Sequence, residues 1–436
     1  MVQKLPRRKV LTGIGAAGAL GVAGCLDGQG DGGNGNGNGN GNGNGNDTDN
    51  GGAEIDYGGT VRYGVLMPET GDLGSLGGTM RDGALLVERQ LSDSLDFDVQ
   101  TGDTETDPSA GQSAAQSLVD SGMPAVVGPA ASNVNLQVTR QAFIPNQVVG
   151  MSPSSTAPAV TDLEDDGFIF RTCPSDALQG PVMAQVVEED LEGSSTATLY
   201  LNDDYGQALE SSYVDAFEEA GGEVMNQVSF EAEQSTYSSQ IGDALDGEPD
   251  VLMVVGFPQS GITLFRDYYS DYADDWDGSI IVPDGLIDSE LPGEVGNEME
   301  DVWGTAPSAA GPGADFFADL YEEEFGSAPE VFNAQAYDAA AVITLATISA
   351  GGDEVDGTAV RDNIPVVANP EGDQYGPSEL ADAAAAVAGG EEIDYVGASS
   401  PVDFDDNGDQ VSVAYDVMRY QGGSIEVQDT IDFEAE

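Results

Sequence analysis

Carboxylates are the chemistry this chain has most of: 79 Asp and Glu stand against 12 Lys and Arg, and there is no histidine. Without imidazole there is no Ser-His-Asp or Cys-His arrangement, no histidine zinc site and no imidazole acid–base pair. No Gly-x-x-x-x-Gly-Lys string occurs, and the only lysines are Lys4 and Lys9, so no lysine in the body of the chain can hold a nucleotide's phosphates. Two-carboxylate glycoside chemistry is a weak alternative, because neighbouring carboxylates arise by chance in a chain this acidic. One string imitates a calcium loop. Asp403, Asp405, Asn407 and Gly408 fit its positions one, three, five and six, but position twelve is Ala414 instead of a bidentate glutamate. The flanks alternate like strands, and Asn407-Gly408 is a hairpin-turn signal. These residues predict no enzyme, no metal, no cofactor and no nucleic-acid partner.

The N-terminus carries a different message. Lys4, Arg7, Arg8 and Lys9 precede an apolar, small-residue stretch over residues 10–24. About 20 apolar residues are needed to span a bilayer, so this reads as a secretory signal. The Arg7-Arg8 pair points to the twin-arginine route, which exports folded proteins. Val22-Ala23-Gly24-Cys25 resembles a lipoprotein box, making residues 1–24 a leader and Cys25 a lipidated N-terminus at the outer face of the cell membrane. Cys173 then has no disulfide partner and reads as a packed small residue. Residues 33–46 alternate Gly and Asn, and 25–56 form a hydrated tether with no side chains able to pack.

Beyond residue 24, eight basic residues remain against all 79 acidic ones. Such a charge opposes a compact state in dilute buffer. In molar salt the Debye length falls to about 3 Å and the repulsion is screened. The composition is that of a halophilic surface; 40% hydrophobic residues argue against a disordered acidic chain.

From residue 57 the pattern becomes α/β. Strands are predicted at 60–67, 96–100, 125–127 and 148–151, with helices at 79–91, near 109–120 and after 132. A second series has a helix near 177, then strands at 197–201, 223–230, 251–255 and 279–282 alternating with helices at 206–220, 238–245 and 261–272. Helices at 314–325 and 331–348 return to one of them, and 402–404 pairs with 410–415. Short β-branched runs alternating with amphipathic helices predict parallel, doubly wound sheets, and two series predict two lobes.

Specific strings then carry a resemblance. Gly64-Val65-Leu66-Met67-Pro68 with Thr70-Gly71, Arg81-Asp82-Gly83-Ala84, Val126-Val127-Gly128-Pro129 with Ser132, and Ser152-Pro153-Ser154-Ser155-Thr156-Ala157-Pro158 are four of them. Arg171-Thr172 with Asp176 and Gln179-Gly180, Asp204-Tyr205-Gly206, and Phe404-Asp405 leading to Asn407-Gly408-Asp409 follow in order. Over residues 60–415 the chain resembles the branched-chain amino acid (Leu/Ile/Val) binding proteins of ABC transporters. The resemblance implies the type I periplasmic binding protein fold, two doubly wound lobes joined by three hinge crossovers near 174–176, 306–308 and 399–401. Lobe 1 would comprise 57–175 and 308–400, lobe 2 176–307 and 401–436.

By the same resemblance Ser132 and backbone amides hold a ligand carboxylate, Ser154 and Thr156 are the Ser-Pro loop positions that bind both ends of the amino acid, Asp284 meets its ammonium, and Tyr205, Phe257 and Leu76 wall the pocket. Hydroxyls and free amides at a helix start can bind an anion without a formal cation, although from local sequence Ser132 and Thr156 read equally well as helix caps. Phe257 stands in place of a tyrosine, Asp284 in place of a longer glutamate, and Thr106 and Ala131 in place of a disulfide. The implied function is capture of a small amino-acid-like solute by lobe closure, as a monomer serving permease and ATPase subunits. A ligand-sensing receptor domain and an amide or urea carrier remain open alternatives. The charge makes one expectation independent of ligand: circular dichroism should show cooperative unfolding as salt is lowered from molar to millimolar, and an unchanged spectrum would refute it.

Overall fold

The computed structural model describes residues 3–4, 55–352, 354–368 and 371–434. Nearly all of the expected leader, Cys25 and the Gly-Asn tether lie outside them.

The first series builds one sheet. It runs β1 (Thr60–Met67), α1 (Gly74–Leu91), β2 (Asp96–Asp103), α2 (Pro108–Asp120), β3 (Ala125–Val127), α3 (Ser132–Val138), β4 (Val149–Ser152) and β5 (Ile169–Arg171). All five strands pair parallel in the order β2-β1-β3-β4-β5. Strands β3 and β4 are buried at every residue, which is why their sequences are unbroken apolar or small runs instead of alternating ones.

The second series repeats the plan with α4 (Asp176–Glu189), β6 (Ser195–Leu201), α5 (Asp204–Ala220), β7 (Glu223–Phe230), α6 (Ser238–Ala244), β8 (Val251–Val255), α7 (Pro258–Asp271), β9 (Ser279–Val282), α8 (Leu291–Val295) and β10 (Val302–Pro307). Its parallel strands lie in the order β7-β6-β8-β9-β10, the same winding as the first sheet.

The chain then returns to the first sheet through α9 (Ala314–Phe325), α10 (Asn333–Ala350), α11 (Gly357–Val367), the strand β11 (Asp373–Tyr375), α12 (Leu380–Ala388) and β12 (Ile393–Tyr395). Helix α10 is buried from Asn333 to Ile348. Its alanines let α1, α11 and β1 approach from different sides. The crossing with α1 is close enough that a Cβ on Gly83 would stand 2.5 Å from the Asn333 carbonyl oxygen. Finally β13 (Ser412–Gln421) adds antiparallel to β10, and β14 (Ser424–Glu434) folds back on it across Gly422-Gly423, both at positive φ as a tight hairpin turn requires.

Several expectations change in detail. The 402–404/410–415 hairpin reduces to one bridge, Phe404 to Gln410, closed by Asp405 accepting from the Asn407 and Asp409 amides. Strand β13 cannot extend that ladder because β10 and β14 take its backbone groups. Helix α10 starts at Asn333 and not 331, because Phe332 is left-handed (φ 68°). Strands β5, β10, β11, β12 and β14 and helices α8, α11 and α12 were not read from sequence. Cys173 is a free, buried cysteine whose thiol burial pushes up, which fits a packing role.

Asp338 on α10 fixes the last crossover. Its carboxylate accepts from the Tyr395 hydroxyl (2.9 Å), the Ala398 and Ser399 amides (2.9 and 2.7 Å) and the Ser399 hydroxyl (2.5 Å). Asp338→Ala would leave these donors buried and unpaired, so urea unfolding in molar salt should show a loss on the order of 3 kcal/mol or more.

Candidate functional site

In a doubly wound sheet, ligand groups gather beyond the carboxyl ends of the strands. Six of the residues singled out from sequence meet there. Leu76, Ser132, Ser154, Tyr205, Phe257 and Asp284 line one cavity between the lobes, with Leu73, Met80, Ala130, Ala131, Gly285 and Phe332. Ser132 follows β3 and Ser154 follows β4, while Tyr205, Phe257 and Asp284 follow β6, β8 and β9. Thr156, the seventh, does not line the cavity; it is buried close to Asp176.

Two loops of the first lobe are stitched together. The Ser152 hydroxyl donates to the Pro129 carbonyl (2.6 Å), and the Ala157 amide donates to Ser132 Oγ (3.2 Å). Ser132 thus spends an acceptor position on the neighbouring loop, while Ser154 Oγ, Ser155 Oγ and Thr156 Oγ1 are buried with no partner. Buried hydroxyls normally find partners; three orphans in one loop mark a place where polar groups are presented to something else.

The second lobe answers with acid. Tyr205 donates to Asp284 Oδ1 (2.9 Å) and stacks on Phe257 at 5.3 Å between ring centroids. Asp284 Oδ2 has no partner, and burial raises this carboxyl to about 6 against the hydrogen bonds that lower it. Asp176, at the start of α4, is fully buried with neither oxygen bonded. Burial pushes it well above the carboxylate range, and the nearby Asp284 pushes it further. No lining residue is basic, so this is a place for a positive group beside Asp284 and for a negative one beside Ser132 and the orphan Ser154 hydroxyl.

Leu73, Met80, Ala130, Ala131, Gly285 and Phe332 are lining residues that site reasoning missed, as it missed Asp176 behind them. Asp176 stood in a string that carried the resemblance, so a signal existed. Phe332 offered none: its left-handed backbone is rare for an aromatic residue and visible only in the structure. The cavity is tight, with about 10 Å³ open to the centre of a water-sized sphere. That is room for about one water, so an amino-acid-sized solute enters only if the lobes part. A larger apolar crevice of about 440 Å³ shares Phe332 but is lined by the hinge side of the lobes, including Pro307, Met418 and Ile425. Its walls include Ser289, Glu330, Asp416 and Ser424, but the Glu330 and Asp416 carboxyls already accept from the Ser289 and Thr430 hydroxyls.

Arg171 holds the first-lobe loop in shape. Fully buried, it donates from Nη1 to the carbonyls of Ser155, Thr156 and Ala157 (3.2, 3.1 and 3.1 Å) and from Nη2 to Asp409 Oδ2 (2.9 Å). One guanidinium therefore ties the orphan-hydroxyl loop to the segment that enters β13.

Comparison with known proteins gives several matches. Residues 60–424 match the family model described as periplasmic binding protein. A chemotactic signal transduction system substrate-binding protein, BasB, of Halobacterium salinarum is 29% identical over 360 residues, covering 79% of this chain and 84% of that one. A leucine-, isoleucine-, valine-, threonine-, and alanine-binding protein of Pseudomonas aeruginosa is 24% identical, covering 67% of this chain and 79% of that one. Among solved structures, a leucine binding protein LivK of Thermotoga maritima superposes with a TM-score of 0.72 at 24% identity, covering 85% of this chain and 98% of that one.

Removing Arg171 strands three carbonyls and leaves Asp409 with the Thr161 hydroxyl but no cation. Arg171→Met should lower stability by about 3–5 kcal/mol in urea titrations at molar salt. Arg171→Lys should recover little of that loss, since an ammonium cannot span the same fork.

Proposed function

The chain belongs to the periplasmic binding protein family, whose members are extracytoplasmic solute-binding proteins and not enzymes, and on that premise we propose that it captures a small amino-acid-like solute, a branched-chain amino acid first, for an ABC importer. One observation carries this reading: the unpartnered Ser154 hydroxyl of one lobe and the unpartnered Asp284 Oδ2 of the other line the same cavity. A zwitterion supplies both complements at once. Its carboxylate takes Ser132 and Ser154, and its ammonium takes Asp284, with Thr156 and Asp176 buried behind them. The aliphatic side chain lies against Leu76, Met80, Phe257 and Phe332.

Capture and closure are one event in this reading. The first lobe holds the carboxylate, and Asp284 with Tyr205 engages as the lobes meet, so the solute stabilises the closed form by its differential affinity for it. An ammonium at Asp284 also offsets its repulsion with Asp176. Cys25 carries the lipid, the tether spans to the body, and permease and ATPase subunits are the partners of a monomeric receptor. The chemotactic role in the name of the Halobacterium relative favours a second reading, in which the same closed cleft signals to a membrane transducer. Uptake of labelled solute by a deletion strain, set against its chemotactic response, separates the two.

Calorimetry in molar salt against Leu, Ile, Val, simple amides and urea tests the site. Branched-chain amino acids should bind, and Asp284→Ala should weaken them at least about 100-fold, roughly 2.7 kcal/mol, with an unchanged far-UV spectrum. Binding of urea or an amide while every α-amino acid fails would refute the zwitterion assignment.

A further inference from the structure

Helix α7 lacks a cap of its own. Its N-cap residue is Phe257, which has no side-chain acceptor, and the helix opens on Pro258. The missing acceptors come from the other lobe. Asp72, in the loop between β1 and α1, accepts from the Ser260 amide on Oδ1 (2.6 Å) and from the Ser260 hydroxyl on Oδ2 (2.8 Å), and its own carbonyl accepts from the Gln259 amide (3.1 Å). These are the second and third amides of the helix, the groups an N-cap residue normally satisfies. Asp72 is only 3% exposed.

The first lobe holds Asp72 ready. Asp103 accepts from the Glu69 and Thr70 amides, and Thr106 Oγ1 accepts from the Leu73 amide (3.1 Å). On the far side, Phe257 is both the start of α7 and a wall of the solute cavity, stacked on Tyr205.

We propose that Asp72 is the latch of the closed cleft, a positioning residue that caps α7 from the opposite lobe and so links the solute wall at Phe257 to lobe closure. When the lobes part, both the helix end and the carboxylate return to water, and α7 stands uncapped. This goes beyond the solute assignment and does not depend on which solute binds.

The latch closes against charge. Around Asp72 the groove carries Glu105 and Asp107 from its own lobe and Asp203, Glu231 and Glu233 from the other, with no basic residue among its lining residues. Burial raises the Asp72 carboxyl to about 6, the Ser260 hydrogen bonds lower it, and Glu233 raises it. Asp203, the cap of α5, is raised to about 6 chiefly by burial as well. In the parted cleft Asp72 regains an ordinary carboxylate value, so closure takes up a proton between that value and about 6. Closure is therefore favoured below this window and weakened as pH rises through about 6.

Amide hydrogen exchange of the full chain in molar salt, with no solute added, reads the latch directly. Exchange of the Gln259 and Ser260 amides, corrected for intrinsic rates, should quicken about 2- to 30-fold in Asp72→Ala, the factor an N-cap is worth. Asp72→Asn and Ser260→Ala should give smaller increases. The β8 amides over 252–254 should not change, which separates lost closure from general destabilisation. Protection at Gln259 and Ser260 should also fall from pH 5 to pH 7.5 in the parent and fall less in Asp72→Asn. Unchanged protection in the Asp72 variants, or an equal loss in β8, would overturn the proposal. Should Asp72→Ala not fold, the near-isosteric Asp72→Asn and Ser260→Ala decide it by the same comparison.

Discussion

A single buried guanidinium sets the terms for this protein. Arg171 is one of eight basic residues beyond the N-terminal stretch, and the only one with no exposed surface. Its donors go to three successive carbonyls of one loop and to Asp409. Turning those carbonyls inward leaves the hydroxyls of the same loop without partners. The arrangement of the cavity thus follows from where one cation was placed. Desolvating an ion pair is expensive, so its return is definition of shape: the loop and the last crossover cannot move independently.

Elsewhere the molecule closes contacts without cations. Asp72 with Ser260, Asp288 with Ser75 and Glu330 with Ser289 join the lobes by carboxylate–hydroxyl hydrogen bonds. Such pairs do not neutralise charge. They are weaker than ion pairs in dilute solution, but they do not depend on a partner that salt would screen. A surface of carboxylates and a cleft of carboxylate–serine contacts are therefore two expressions of one constraint, the scarcity of cations in a chain with 79 carboxylates and eight basic residues beyond its N-terminal stretch.

Much of the fold was legible in the sequence because the strands are short, buried and punctuated. Thr60–Met67 and Val251–Val255 agree with their apolar runs residue for residue. The late segments were harder. Leu380–Ala388 is mostly alanine, which fits a helix or a loose linker equally, and its partner strands are only three residues long. At the site, residues embedded in recognisable strings could be found, since each sits in a short turn after a strand. Phe332 could not, because nothing in a neighbouring Glu-Val-Phe-Asn string announces a left-handed backbone. Nor could the role of Asp72, which depends on a helix almost two hundred residues away.

Helix α10 also governs the order in which the protein can come into being. It covers the first sheet, yet it is made after the five parallel strands of the second, whose last two strands, β13 and β14, come later still. As the chain leaves the ribosome, the first lobe must therefore wait with an uncovered apolar face while the second lobe is synthesised. Neither half can be finished as an independent co-translational unit. Folding of both lobes is completed only after these later segments have been synthesised.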